Sequence, residues 1–171
     1  MIKDSKNSHF LMPSGLFVSR EPHTIVTILG SCVAVCIYDT HLKFGGANHY
    51  MLPLWNGSGL ASPRYGNIAI GVLLEKMIRF GSDKKNLIAK VFGGARMLND
   101  QSNIFNIGIR NVELAYEIFQ KEEIRIIAAS TGGVKGRKIY FDTQTGEVLQ
   151  KYLTGSEETD TKTHRSSFYH Q

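Results

Sequence analysis

The chain has 171 residues and a formal net charge of +5, with 42% hydrophobic and 20% charged residues. This length and composition are typical of a single soluble globular domain with a sizeable core. Membrane insertion is not expected, because the longest apolar stretch (residues 33–38) is far shorter than the roughly 20 residues that cross a bilayer. The basic residues are scattered rather than gathered in a stripe with aromatic residues, which argues against nucleic-acid binding.

The order of strand-like and helical segments predicts the fold class. The first 14 residues are polar and predict a loosely held arm. Short apolar or β-branched runs then predict strands at residues 24–29, 33–38, 45–52, 87–92, 124–129, 138–141 and 147–153. Apolar residues with helical spacing predict helices at residues 68–80 and 111–122. About seven strands and two helices in an irregular order predict an α+β domain built on a layered, mixed β-sheet.

Several stretches carry more specific expectations. Residues 54–65 have loop composition, and a long loop beside a site often binds substrate or acts as a lid. The strand at 124–129 is expected to be buried. From Gly155 onward the chain is polar, so we expect one domain over residues 1–154 and a disordered tail over residues 155–171. The two closely spaced cysteines and the absence of an N-terminal secretory apolar segment predict a cytoplasmic location.

A cysteine at the start of an apolar strand is the strongest chemical signal. Gly30 and Ser31 lead into Cys32, and His49 follows on the next predicted strand, seventeen residues later. A thiol, whose pKa is about 8.5 when free, becomes nucleophilic when an imidazolium or backbone donors lower that pKa. We therefore predict Cys32 as the nucleophile and His49 as the general base that later protonates the leaving group. Gly30 and Ser31 leave room for a substrate carbonyl, and the backbone N–H of Cys32 or of a neighbour is expected to stabilise an oxyanion.

Other residues suggest metal or phosphate binding and are better explained without it. Cys36 shares a face with the candidate nucleophile, but a closed zinc site needs four ligands, so we interpret Cys36 as a core residue and predict no metal site. The pairs Gly93-Gly94 and Gly132-Gly133 lack both the lysine–hydroxyl ending of a phosphate-binding loop and the spacing of a dinucleotide fingerprint. Neither pair therefore predicts a nucleotide site.

Five motifs resemble those of the chemoreceptor glutamine deamidase family, CheD, and they occur in the family's order. The first is the segment 27–39, which contains Cys32. The others are His49-Tyr50-Met51-Leu52-Pro53, Phe92-Gly93-Gly94-Ala95-Arg96-Met97, Asn106-Ile107-Gly108-Ile109-Arg110-Asn111, and Thr131-Gly132-Gly133 followed by Gly136-Arg137. Together they run from about residue 16 to residue 153, and five ordered motifs are far more specific than any one of them.

The resemblance implies a reaction and its partners. It implies a protein-glutamine deamidase that converts specific glutamines of methyl-accepting chemotaxis receptors to glutamate and releases ammonia through a cysteine thioester. No cofactor is implied. The resemblance also implies that the phosphatase CheC is a partner in some organisms.

The resemblance further implies a third catalytic group, a threonine upstream of the cysteine. Thr27 and Thr24 both precede Cys32, and strand alternation, which places Thr27 on the opposite face from its two neighbours, favours Thr27. The glycine pairs at 93–94 and 132–133 are similar to loop elements near the family's site. They either admit a bulky protein substrate or provide turns.

Two other functions fit the same residues. A non-catalytic module that binds receptors or CheC would keep the fold, and Cys32→Ala would leave its function intact. Another papain-like thiol hydrolase, such as a protease or a transglutaminase, would share the thioester but would cleave peptides or form amine adducts.

Overall fold

A computed structural model describes residues 7–96 and 106–155. Within these residues the chain forms nine strands, two α-helices and one short 3₁₀ helix. The strands are β1 (Ser8–Phe10), β2 (Leu16–Ser19), β3 (Thr24–Leu29), β4 (Val33–Asp39), β5 (Phe44–Tyr50), β6 (Leu87–Gly93), β7 (Arg125–Thr131), β8 (Arg137–Asp142) and β9 (Val148–Tyr152). The helices are α1 (Gly66–Arg79) and α2 (Ile107–Lys121), and the 3₁₀ helix covers Lys84–Asn86.

Two mixed sheets and a pair of helices form three layers. One sheet has the strand order β2-β5-β4-β6-β7 and the other has the order β1-β3-β8-β9. The β6–β7 and β1–β3 pairs are parallel, and the other pairs are antiparallel. One core lies between the five-stranded sheet and the helices, and a second core includes residues from both sheets. The predicted α+β layered fold is confirmed.

Strand β4 lies at the centre of the five-stranded sheet and is buried on both faces. Its odd-numbered residues, such as Val35, belong to the core beneath the helices. Its even-numbered residues, such as Ala34 and Cys36, belong to the core between the sheets. Burial on both faces explains why the sequence of this strand is almost continuously apolar. Cys32, just before the strand, also belongs to the core between the sheets.

The predicted strands and helices are found with boundaries shifted by a few residues, and two strands were missed. Residues 7–14 are not a loosely held arm, because β1 pairs with β3 and Leu11 is buried. Strand β2 was not predicted either. Helix α2 begins at Ile107, four residues before the predicted start at Asn111.

The prediction that residues 124–129 form a buried strand was wrong about burial. Strand β7 is an edge strand of its sheet, and all seven of its residues are exposed or partly exposed. An apolar run predicts a strand but does not specify its place in the sheet. The predicted tail lies outside the described residues apart from Gly155, as do residues 1–6. Of the helices in the described residues, none is long and apolar enough to cross a membrane.

Candidate active site

Antiparallel pairing of β4 with β5 brings Cys32 and His49 to one face of the five-stranded sheet. His49 lies directly opposite Ala34 in the register of the two strands. Cys32 precedes Ala34 by two positions, and both belong to the core between the sheets. Diagonal neighbours across an antiparallel pair are about 7–8 Å apart, a distance that an aromatic ring such as imidazole can bridge. The sheet therefore places the imidazole of His49 near the thiol of Cys32.

Thr27 reaches His49 from the opposite sheet. Its hydroxyl donates to the carbonyl oxygen of Leu11 at 2.7 Å and lies 2.8 Å from Nδ1 of His49. A hydroxyl has a single proton, so the Thr27 oxygen accepts a hydrogen bond from the N–H at Nδ1. This tautomer leaves Nε2 as the basic nitrogen of the ring. Of the two threonines that the sequence left open, it is Thr27 that contacts His49.

The three side chains are shielded from solvent. Cys32 is 2% exposed, and His49 and Thr27 are buried as well. Hydrogen bonds and charge interactions are stronger in this low-dielectric environment than in water. An imidazole in such a place can accept a proton from a neighbouring thiol. The arrangement suits nucleophilic attack on a carbonyl group that reaches the thiol from outside.

Cys36 is a second buried cysteine on the same face of β4. Burial raises the pKa of its thiol to about 12, while the nearby charge of Lys90 acts in the opposite direction. Such a thiol stays protonated at neutral pH and is a poor nucleophile. Cys36 is a core residue, as predicted. Among the residues that the structure describes, no group of three or more His, Cys, Asp or Glu side chains is arranged to hold a metal ion.

The loop that carries Cys32 is bonded to the loop that follows β6. The backbone N–H of Gly94 donates to the carbonyl oxygen of Cys32 at 2.9 Å, and that of Ala95 donates to Gly30 at 2.9 Å. These two N–H groups are therefore engaged within the protein. The predicted oxyanion donor, the N–H of Cys32 or of a neighbour such as Ser31, stays a prediction.

The first glycine pair is packed tightly behind the Cys32 loop. Gly93 has a φ of +109°, and a Cβ atom there would lie 2.2 Å from the carbonyl oxygen of Cys32. A Cβ atom on Gly94 would lie 2.4 Å from a methyl group of Val112 in α2. Only glycine fits either position. The structure gives this pair a packing role, and its contact with a substrate stays a prediction.

The second glycine pair, Gly132 and Gly133, forms a more open turn that is bonded to the loop of the first pair. Gly132 donates to the carbonyl oxygen of Gly93 at 2.9 Å, and Gly133 accepts from the N–H of Arg96 at 2.8 Å. Both glycines have a positive φ, and a Cβ atom on either would meet nothing within 4 Å. Space is thus available beside Gly132 and Gly133, and their contact with a substrate also stays a prediction.

A buried arginine that was not predicted as functional holds this turn in place. Arg137 donates to the carbonyl oxygens of Ser130 and Gly132, and to the Ser130 hydroxyl at 3.0 Å. Burial lowers the pKa of Arg137 from its usual value, and the neighbouring Tyr152 acts in the opposite direction. Arg137 lies opposite Leu29, the last residue of β3 before the Cys32 loop. It therefore ties the glycine turn to the strand that leads into the site.

Asn111 is a second residue whose role was not predicted. It lies inside α2 and is buried, and its side-chain amide donates to the carbonyl oxygens of Ser31 at 3.1 Å and Met51 at 3.0 Å. Ser31 is adjacent to Cys32, and Met51 is two residues beyond His49. One amide group thus sets the spacing between the two chain segments that carry the thiol and the imidazole.

Comparisons with known proteins agree with the motifs. Residues 51–152 match the family model described as CheD, chemotactic sensory transduction. A protein of Sulfurimonas denitrificans named "probable chemoreceptor glutamine deamidase CheD" is 45% identical over 149 residues, which cover 86% of this chain and 96% of that protein. A protein of the same name from Trichlorobacter lovleyi is 50% identical over 141 residues, covering 82% and 88% of the two chains. Because the first alignment covers 86% of this chain, Thr27, Cys32 and His49 fall within it whatever its first residue is.

Proposed function

The chain belongs to the CheD family, and we propose that it deamidates glutamine side chains of chemotaxis receptors with Cys32, His49 and Thr27 as its catalytic residues. Relatives named after this activity align with most of the chain. The residue assignment rests on the 2.8 Å hydrogen bond between Thr27 and His49. His49 lies on β5, which pairs with the strand that Cys32 precedes, and Cys32 is buried.

The reaction begins with proton transfer from the Cys32 thiol to Nε2 of His49. The thiolate then attacks the carbon of the glutamine side-chain amide and forms a tetrahedral intermediate, whose oxyanion is stabilised by backbone N–H groups at the Cys32 loop. The carbon–nitrogen bond breaks as the imidazolium protonates the leaving nitrogen, so ammonia departs and a thioester remains. A water molecule that loses a proton to His49 attacks the thioester, which releases the glutamate side chain and the thiol.

Thr27 supports this cycle by fixing the ring of His49. Its oxygen accepts from Nδ1 in both states of the ring, so Nε2 is the nitrogen that gains and loses the proton. Asn111 and Arg137 do not touch the reacting atoms in this proposal. Asn111 positions the segments that carry Cys32 and His49, and Arg137 holds the turn at Gly132.

The burial of Cys32 favours a side-chain amide over a backbone peptide as the substrate. The amide of a glutamine lies at the end of a thin, flexible side chain that can enter a narrow opening. A scissile peptide bond has chain on both sides and needs a longer groove around the thiol, whereas the residue Cys32 has only 2% of its surface exposed. This supports a deamidase over the papain-like protease that shares its chemistry.

The chemotaxis receptors are the proposed protein partners, and the proposed location is the cytoplasm. The family resemblance adds the phosphatase CheC as a second proposed partner. Copurification of the two proteins at equal concentration tests that interaction, and its absence would remove CheC from the proposal.

Mass spectrometry of a receptor cytoplasmic fragment tests the proposed reaction. The fragment is incubated with the wild type, with Cys32→Ala and with Cys36→Ala, which removes the other buried thiol. We expect the mass shift of amide-to-acid conversion at specific glutamines with the wild type and Cys36→Ala, and none with Cys32→Ala. Absence of the shift with folded wild-type protein would indicate a non-catalytic binding module, and cleaved peptide would indicate a protease.

A further inference from the structure

The segment that follows His49 forms a closed surface loop. The N–H groups of Met51 and Leu52 donate to the carbonyl oxygen of Arg64 at 2.9 and 3.1 Å, and Gly66 donates to Leu52 at 2.8 Å. These bonds bring together the two ends of the segment 53–63, which we call the 53–63 loop. Compact loops with adjacent ends are often functional.

The base of the 53–63 loop lies beside the candidate site. Met51, at one side of that base, is held by Asn111, whose amide also holds Ser31. The base is therefore one hydrogen-bonded residue away from the Cys32 loop and two residues along the chain from His49. The loop is therefore close enough to contact a macromolecule that presents a side chain to Cys32.

The 53–63 loop has a defined shape and presents apolar side chains to solvent. Trp55 donates through its backbone N–H to Asn67 at 3.0 Å and through its indole N–H to Ser58 at 3.0 Å. Leu60 is 88% exposed and Leu54 is 54% exposed. Single exposed leucines are common on protein surfaces, but two on one ordered loop beside a site offer apolar area that a bound partner can cover.

The charge of this region also limits what can bind there. Residues 53–63 contain no charged side chain, and Arg64 at the base of the loop is exposed. A ligand that complements this region is a peptide segment with apolar side chains, which cover the leucines, and an acidic side chain, which lies near Arg64.

We propose that the 53–63 loop is the docking surface for the glutamine-bearing segment of the protein substrate. This inference rests on the proposed function and adds the recognition element to it. The bound segment has apolar side chains beside its target glutamine, which cover Leu54 and Leu60 while the glutamine reaches Cys32. Because the loop is already ordered, little conformational entropy is lost when the substrate binds. Docking of this kind selects glutamines in a protein over free glutamine.

Steady-state deamidation of a receptor cytoplasmic fragment by the double variant Leu54→Ser/Leu60→Ser tests the proposal. The matched control is Leu149→Ser, because Leu149 is 53% exposed and lies on β9 in the other sheet. We expect KM of the double variant to rise about tenfold or more, since burial of one leucine side chain is worth about a factor of ten in affinity. We expect kcat to change by less than about twofold, and alkylation of Cys32 by iodoacetamide to keep its wild-type rate. The control keeps both kinetic constants.

The possible outcomes separate this inference from the proposed function. An unchanged KM in the double variant, or an equal rise in Leu149→Ser, overturns the docking role while leaving the deamidase proposal intact. Slower alkylation of Cys32 together with a lower kcat also overturns it, because the loop would then support the site rather than bind the substrate. If wild-type protein does not deamidate the fragment, the proposed function itself fails.

Discussion

The hydroxyl of Thr27 lies 2.8 Å from Nδ1 of His49 and joins strands that belong to different sheets. The same hydroxyl donates its proton to Leu11, so it can only accept from the imidazole. The packing of the two sheets therefore determines which ring nitrogen is basic. A change in how the sheets pack would change the chemistry of the site even if every catalytic residue were still present.

Thr27→Val removes this acceptor with almost no change in side-chain volume. We expect kcat for receptor deamidation to fall about tenfold to a hundredfold, because the ring loses its orientation and its preferred tautomer. The loss should be smaller than the roughly 10⁴-fold loss seen when a catalytic triad loses its carboxylate, since a neutral hydroxyl stabilises the imidazolium less. Single-turnover rates of deamidation measure the effect.

Two controls show whether the Thr27 hydroxyl is responsible. Thr27→Ser keeps the oxygen and should retain most of the wild-type rate. Thr24→Val makes the same substitution on the face of β3 opposite to Thr27, and it should leave the rate of deamidation unchanged. Equal losses in Thr27→Val and Thr24→Val would contradict the assignment.

Asn111→Asp replaces the amide donor by a carboxylate of the same shape. The carboxylate cannot donate to Ser31 and Met51 and repels both carbonyl oxygens, so the segments carrying Cys32 and His49 should separate. We expect kcat and the rate of Cys32 alkylation to fall together while KM changes little. The free energy of unfolding should fall by more than about 1–3 kcal/mol, the cost of leaving a neutral buried polar group unsatisfied, because the carboxylate is charged. Alkylation kinetics and chemical denaturation measure the two effects.

Asn48→Ala is the control for Asn111→Asp, because it should lower stability without moving the segments that carry Cys32 and His49. Asn48 is also buried, and its side chain accepts a hydrogen bond from the N–H of Val35 on the helix-facing side of the sheet. We expect a loss of stability of about 1–3 kcal/mol, from the unsatisfied N–H of Val35, with wild-type alkylation of Cys32. If Asn48→Ala slowed alkylation as much as Asn111→Asp does, the positioning role of Asn111 would be wrong.

The sequence predicted those parts of the site that depend on strand alternation and on adjacent strands. Cys32 lies just before β4 and His49 lies on β5, the next strand and its antiparallel partner, so their spacing along the chain translates into proximity. Thr27 was favoured because alternation separates its face from that of its neighbours. These relationships follow from the two-residue period of a strand and need no knowledge of distant contacts.

The residues that the sequence did not predict depend on contacts between distant segments. Asn111 bonds to residues 80 and 60 positions away in the chain, and helical periodicity places it on a buried face without naming its partners. Leu11 lies in a segment whose polar composition predicted an arm, yet its carbonyl oxygen receives the proton of Thr27. Strand β7 shows the same limit for the fold, since its apolar run predicts a strand but not an edge position.

Gly93→Ala tests the close packing behind the Cys32 loop. The new Cβ atom would lie 2.2 Å from the carbonyl oxygen of Cys32, so the loop must move. We expect the free energy of unfolding to fall by at least about 2 kcal/mol, from the positive φ and the overlap together, and we expect deamidation to be lost. Gly132→Ala is the matched control, because its φ is also positive but a Cβ atom there meets nothing within 4 Å. It should lose only about 1–2 kcal/mol of stability; equal losses of stability in the two variants would show that backbone conformation alone is responsible.

The buried thiol of Cys36 should lower the free energy of unfolding in alkaline solution. Its pKa is raised by burial from 9.0 to about 12 in the folded protein, so between these values the unfolded chain loses the thiol proton and the folded chain keeps it. The stabilisation is complete below pH 9 and is lost as the pH rises toward 12, by about 1.4 kcal/mol per pH unit. Denaturation of the wild type and of Cys36→Ala across pH 8 to 10.5 measures this, and the wild-type free energy of unfolding should fall more steeply above pH 9. Parallel curves would show that the thiol is not shielded, and native Cys36 would then be alkylated together with Cys32.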